Sequence, residues 1–185
     1  MQIKKCLLAT LLSASALFVR AQEEEEPKKG FDKEKLFFGG NFGLSFGNYT
    51  LVNVSPQVGY RFNRFLAAGA GVNFIYSSFK YDYYGYKDQN GVAGLNIFGR
   101  VYPIEYILLQ VQPEMNYTWA KRKYYDGTEL KLDPKFVPSL LLGGGAAIPL
   151  GNRRSAMLVM IEYDLLQNDR SPYGKKAFIN IGFNF

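Results

Sequence analysis

Between residues 109 and 119 the chain reads LQVQPEMNYTW, and its polarity alternates at every step. Successive side chains of a strand point to opposite sides. Leu109, Val111, Pro113, Met115, Tyr117 and Trp119 therefore share one face, and Gln110, Gln112, Glu114, Asn116 and Thr118 share the other. A helix would mix the two sets. The pattern leaves one choice open: a strand in water hides its apolar face, whereas a strand in a bilayer hides its polar one.

The same period of two continues through most of the chain from Leu36 onward and predicts eight strands, near 36–47, 50–61, 65–80, 92–102, 107–119, 136–148, 156–166 and 176–185. Several exceed the roughly 5–6 residues usual in globular sheets and reach the about 9–11 that a tilted strand needs to cross a bilayer. The connections alternate in length. A turn around Asn63, the stretch Pro103–Tyr106 and the stretch Pro149–Arg154 are short, while 81–91, 120–135 and 167–175 are long, apart from a tight turn at 47–49. Bacterial outer-membrane barrels pair brief periplasmic turns with longer outer loops. Aromatic residues at 16% and 19 glycines also suit an all-β chain better than a helical one.

Other strands repeat the sorting. Met157, Val159, Ile161, Tyr163 and Leu165 share a face, as do Ala177, Ile179, Ile181, Phe183 and Phe185, and neither face carries a charge. The opposite faces hold mostly Asn, Gln, Ser and Gly with a few charges, with Leu158 and Met160 beside Glu162 and Asp164, the composition of a crowded wet interior. On that register the lumen receives Arg61, Arg100, Gln110, Gln112, Glu114, Glu162, Asp164 and Asn180, its charges paired with one another. Gly39, Gly43, Gly69, Gly71, Gly94, Gly143, Gly145 and Gly182 face the same way. Pro56, Pro113 and Pro138 fall on the outward face inside strands, where a missing N–H predicts bulges. Two aromatic girdles are expected: Tyr60, Phe62, Phe65, Tyr102, Tyr106 and Phe185 near the short turns, and Phe46, Tyr49, Tyr76, Tyr117, Trp119 and Tyr163 near the long loops.

Residues 1–21 read as a signal peptide. Lys4 and Lys5 precede the apolar stretch 6–19, and Ala21 supplies the small residue for cleavage before Gln22; cleavage after Ala16 and an uncleaved membrane anchor are the competing readings. Loss of Lys4, Lys5 and Arg20 leaves 19 basic against 16 acidic residues, +3, and removes the single Cys. Residues 22–35, with Glu23–Glu26 followed by Pro27, Lys28 and Lys29, are expected to form a disordered periplasmic tail ahead of a barrel over 36–185.

The stretches VSPQVGYRFNRFLAAGAGVNF (54–74), LNIFGRVYP (95–103) and LLGGGAAIPLGNRRSAMLVMIEYDLL (141–166) resemble the outer-membrane β-barrel domain family common in Bacteroidota, related in architecture to small barrels of the OmpX and OmpA kind. That resemblance implies an all-β, eight-stranded antiparallel up-and-down transmembrane barrel in the outer membrane of a Gram-negative cell, of the porin-family type. The ending IGFNF is similar to the terminal signature read by the barrel-assembly machinery, which makes Phe183 and Phe185 its carriers.

The chain has no His, which excludes Ser-His-Asp devices and histidine-based metalloenzymes. Only a carboxylate pair among Glu114, Glu162 and Asp164 remains for hydrolysis, and a non-enzymatic role is expected. Asp88-Gln89-Asn90-Gly91 lacks the distal Glu of a calcium loop, and Gly143-Gly144-Gly145 lacks the Lys of a phosphate loop, so no cofactor or metal is expected. The loops around Tyr83, Tyr84, Tyr86, Lys121, Arg122, Lys123, Tyr124 and Tyr125 interleave rings with cations. They suit lipopolysaccharide phosphates, glycans or a surface protein; nucleic acid is not an expected partner, since the mature charge is small. A narrow pore and a soluble ligand-binding barrel are the alternative readings.

Overall fold

A computed structural model of the chain describes residues 32–185, the side chains of 152–154 apart. The expected signal peptide and most of the charged tail lie outside the described residues. The end of that tail differs from the expectation, because Lys33–Lys35 form a single 3-10 turn leading into the first strand.

Eight strands follow: β1 (Leu36–Ser45), β2 (Tyr49–Arg61), β3 (Leu66–Tyr81), β4 (Tyr86–Ile104), β5 (Ile107–Tyr124), β6 (Glu129–Leu150), β7 (Asn152–Asp164) and β8 (Phe178–Asn184). Each pairs antiparallel with the next, and β8 returns to β1 to close a barrel. The seam is the thinnest ladder, with three pairs from Gly39↔Asn184 to Asn41↔Gly182, extended by the exchange of bonds between Phe38 and Phe185.

The two faces of β5 are sorted between the outside and the inside of the barrel. From Ile107 to Thr118 every odd residue is exposed and every even one buried. The amides and Glu114 therefore point into the barrel, and Leu109, Val111, Met115 and Tyr117 point out. The same inversion holds around the wall, where Leu95 is 67% exposed and Ile179 70%, while Arg100 is 1% exposed.

The strands run longer than the sequence suggests. The long connections expected at 81–91 and 120–135 are mostly strand: β3 and β4 are joined by a 3-10 turn at Asp82–Tyr84 capped by Gly85 at φ 66°, and β5 and β6 by residues 125–128. Two features override the loop-like composition. Asp88 and Arg122 bridge β4 to β5 across the ladder. Gly91, which reads as a turn residue after Asn90, lies beneath the Trp119 indole, where a Cβ would collide with the ring. Only Leu165–Ala177 remains an irregular long connection.

Pro56, Pro113 and Pro138 cause no bulge. The β2–β3 ladder skips Ser55 and Pro56 but resumes in the same register at Gln57↔Gly71, and Pro113 and Pro138 keep theirs, opposite Leu140 and Met115. A single missing bond on a long strand is bridged by its neighbours. Register shifts occur instead between Val101 and Ile104, spanning Pro103, between Thr118 and Ala120, and at Pro149. Two of these lie beside turns, where the ladder is free to twist.

Candidate functional site

The lumen is filled in two tiers. Nearest the short turns, Phe37, Ala67, Phe98, Tyr102, Leu108, Ala147, Leu158 and Met160 pack into an apolar cluster. Glycines make room for the rings: a Cβ on Gly59 would enter the Phe37 ring, and one on Gly69 the Phe98 ring. Arg100 caps this cluster with its guanidinium 4.2 Å from the Phe98 ring centre, the distance at which a ring face attracts a cation.

Above it runs a network of amides. Arg100 donates to Gln110 Oε1 at 2.5 Å, to Gln57 Oε1 at 2.8 Å and to Asn184 Oδ1 at 3.2 Å. Gln110 Nε2 passes the chain to Glu162 Oε1 at 2.8 Å and Gln112 Oε1 at 3.0 Å. Gln112 Nε2 donates to Glu114 Oε1 at 2.7 Å, and Asn116 Nδ2 to Glu114 Oε2 at 2.8 Å. Asn96 donates to Asn73, which donates to Asn116. Asn180, half-buried, donates to Glu162 Oε2 at 2.5 Å. A network of this kind stands only when nearly every member is satisfied, since an unpaired buried polar group costs about 1–3 kcal/mol. Among the described residues Asn96 Oδ1 and the Tyr102 hydroxyl are the exceptions.

Two expectations about these charges need correction. Arg100 does not pair directly with an acid; Gln110 stands between it and Glu162. Arg61 lies outside the network, at the exposed short-turn mouth, stacked 5.0 Å over Tyr102. That contact also removes Tyr102 from the girdle, because its ring is buried inside. Tyr49 leaves the other girdle, since it sits on the inward register opposite Phe79.

The irregular connection closes the opposite end. Tyr173 donates its hydroxyl to Glu114 Oε2 at 2.7 Å and stacks on Phe178 at 4.9 Å. Ser171 donates to Asp164 Oδ2 at 2.6 Å, while Asp164 Oδ1 accepts the backbone N–H groups of Leu140 and Leu166. Every oxygen of Glu114, Glu162 and Asp164 thus accepts at least one hydrogen bond. A cavity of about 410 Å³ at this end is bounded by Leu51, Ile75, Val92, Leu132 and residues 169–172. Another, of about 930 Å³, opens at the short-turn mouth beside Arg61, Arg64, Tyr102 and Leu158. The amide network lies between them. Among the described residues no group of three metal-ligating side chains exists.

The tyrosine- and lysine-rich segments form a sheet that stands beyond the wall. Its two tips are tied by Tyr125, whose hydroxyl donates to Asp82 at 2.6 Å and whose N–H donates to the Gly85 carbonyl. Ladder register divides the expected contact residues between two faces. Tyr86, Arg122 and Tyr124 continue the lumen-facing side, where Tyr49, Phe79, Tyr81, Tyr86 and Tyr124 form a ladder of rings with centres 4.5–6.1 Å apart. Arg122 lies over Tyr86 and is bidentate to Asp88, whose hydrogen bonds push its guanidinium pKa up. Lys121 and Lys123 fall on the outer side with Glu129, and Tyr83 and Tyr84 sit exposed in the tip. At the seam, Phe183 and Phe185 stack with centres 6.3 Å apart on the outward face.

Sequence reasoning passed over Phe37, Phe98, Asn73, Asn96, Tyr173 and the ring ladder. The first four share the inward register of residues already singled out, so parity would have found them. Tyr173 belongs to no periodic segment and carries no such signal.

Scanning the sequence against models of known protein families gives no match, and a search of curated proteins finds no similar sequence.

Proposed function

We propose that the chain is an integral outer-membrane barrel of a Gram-negative envelope, non-enzymatic, with a closed lumen and a protruding sheet that makes surface contacts. One observation carries this reading: the inversion of faces along β5 and around the wall, with large apolar side chains outside and amides and charges inside. In water such a continuous apolar exterior would drive association, because soluble monomers rarely expose patches beyond a few hundred Å². In hydrocarbon it is the favourable arrangement, and a closed ladder leaves few backbone groups unpaired. The resemblance of 54–74, 95–103 and 141–166 to the Bacteroidota barrel domain supports the same location. Phe183 and Phe185 at the seam would serve the assembly machinery, and outer-leaflet lipid and lipopolysaccharide would surround the wall.

Single cysteines in an otherwise cysteine-free mature chain test it. Probes at Val111, Ile161 and Ile179 should be quenched by lipid-dissolved nitroxide after refolding into vesicles, and probes at Gln112 and Asn180 should not. The reverse pattern, or recovery as a soluble monomer without detergent, overturns the reading. A narrow pore is less well supported, because the amide network separates the two end cavities; stable planar-bilayer conductance altered by Arg100→Ala would favour it instead.

A further inference from the structure

The outer face of the protruding sheet holds lysines in direct register. Lys80 stands opposite Lys87, and Lys87 opposite Lys123; one row nearer the wall, Lys121 stands opposite Lys131. Adjacent strands lie about 4.8 Å apart, so three ammonium groups are set side by side in one row. Like charges directly opposite are destabilising. The acid in this row, Glu129, is divided among Lys121 at 3.7 Å, Lys123 at 3.4 Å and Lys131 at 4.0 Å, and Asp133 lies nearer the wall, at the register shift opposite Trp119. Asp88, next to Lys87 in the chain, is on the opposite side, held by Arg122. Among the described residues Lys80 and Lys87 have no ion pair.

The row is also contiguous with the apolar exterior. On β5 the outward series runs Met115, Tyr117, Trp119, Lys121, Lys123, so the cations begin one outward position beyond the last aromatic ring. We propose that Lys80, Lys87, Lys121 and Lys123 bind the phosphate-bearing headgroups of outer-leaflet lipid. This rests on the membrane reading above and adds the ligand chemistry and the residues. The ligand is a phosphate because Lys is a compact, rotatable point charge suited to phosphate oxygens. It belongs to a lipid because the site faces sideways over the hydrocarbon-facing wall, not outward from the tip. The ring ladder that would suit neutral glycans lies on the other face.

Trp119, the chain's single tryptophan, reports on the site directly. The intact barrel is refolded into phosphatidylcholine vesicles carrying equal fractions of either phosphatidic acid or phosphatidylcholine with chains brominated near the glycerol. Brominated phosphatidic acid should quench Trp119 with an apparent association about fivefold or more above that of brominated phosphatidylcholine. The excess should shrink with added salt and vanish in Lys80→Gln/Lys87→Gln/Lys121→Gln/Lys123→Gln. Equal quenching by the two lipids, an excess insensitive to salt, or an excess retained in the variant overturns the proposal. The salt series uses the unaltered protein, so it decides even if the variant does not fold. Absence of quenching by either lipid is a separate outcome: it overturns the membrane reading itself.

Discussion

The middle of the barrel and the sheet beyond its rim are made by the same strands on the same register, yet their inward faces have opposite chemistry. Inside the closed wall, β4 and β5 turn Asn96, Arg100, Gln110, Gln112 and Glu114 towards one another. Past the rim they turn Tyr86, Arg122 and Tyr124 towards open space. Closure explains the difference. In a narrow cylinder each inward group is within reach of groups from several other strands, so donors and acceptors can satisfy each other without water. An open sheet offers neighbours only along and across its own ladder, and flat rings that pack edge to face on adjacent strands are what such a surface can stabilise. Stability should therefore be concentrated in the lumen, and the projecting sheet should tolerate change.

Several substitutions would break or sharpen that contrast. The largest effect is expected for Arg100→Ala, which strands three amide acceptors and removes, among the described residues, the sole buried cation near three carboxylates. Loss of one partner from a buried charge network costs about 3–5 kcal/mol, to be read as a lower urea midpoint of the refolded barrel. Gly91→Val should come next, since its side chain must displace the Trp119 indole; overpacking of this kind costs about 1–3 kcal/mol, and a shifted Trp119 emission maximum would accompany it. Tyr173→Phe removes one hydrogen bond to Glu114, a loss of about 1 kcal/mol. Amide exchange should quicken across 165–177 while β4 and β5 keep their protection. Equal loosening of all the strands would mean that the connection is part of the wall's stability rather than a cover on it. Tyr125→Phe cuts the tie to Asp82 at the exposed tips and should leave the urea midpoint unchanged within about 0.5 kcal/mol.

The smallest effect is one of pH. Lys121 first, then Lys123, hold the Glu129 carboxyl below its ordinary range. A carboxyl depressed in the folded state contributes stability that is present above its unfolded pKa and lost as pH falls through its folded pKa. Acidification across the carboxylate range should therefore loosen amide exchange at the outer end of β5–β6 in the unaltered chain and not in Glu129→Gln. Loosening in both would assign the change to another group.

The parity of LQVQPEMNYTW fixed which residues face which way, and the eight strands follow from it, because alternation is a local property that closure only ratifies. What escaped the sequence depended on distant partners. Residues 86–91 and 120–124 carry the Asp, Asn, Gly and Lys of a loop, and they become strand only because Arg122 finds Asp88 and Trp119 covers Gly91. Parity puts the charges of the lumen on the right face, but the intervening Gln110 between Arg100 and Glu162 depends on heights along different strands, which no single segment encodes. Arg61 shares the lumen's parity, yet it stands at a strand end, so the side chain leans out over Tyr102 instead of into the network.

The thin seam between β1 and β8 has a consequence for how this wall comes into being. Its two sides are the first and last strands of the described chain, so they meet only after every other hairpin has been laid down, the slowest kind of encounter for a polymer. Until then the growing sheet has two raw margins, each ready to bond to a stranger. Three residue pairs and the bonds exchanged between Phe38 and Phe185 are all that finally covers those margins.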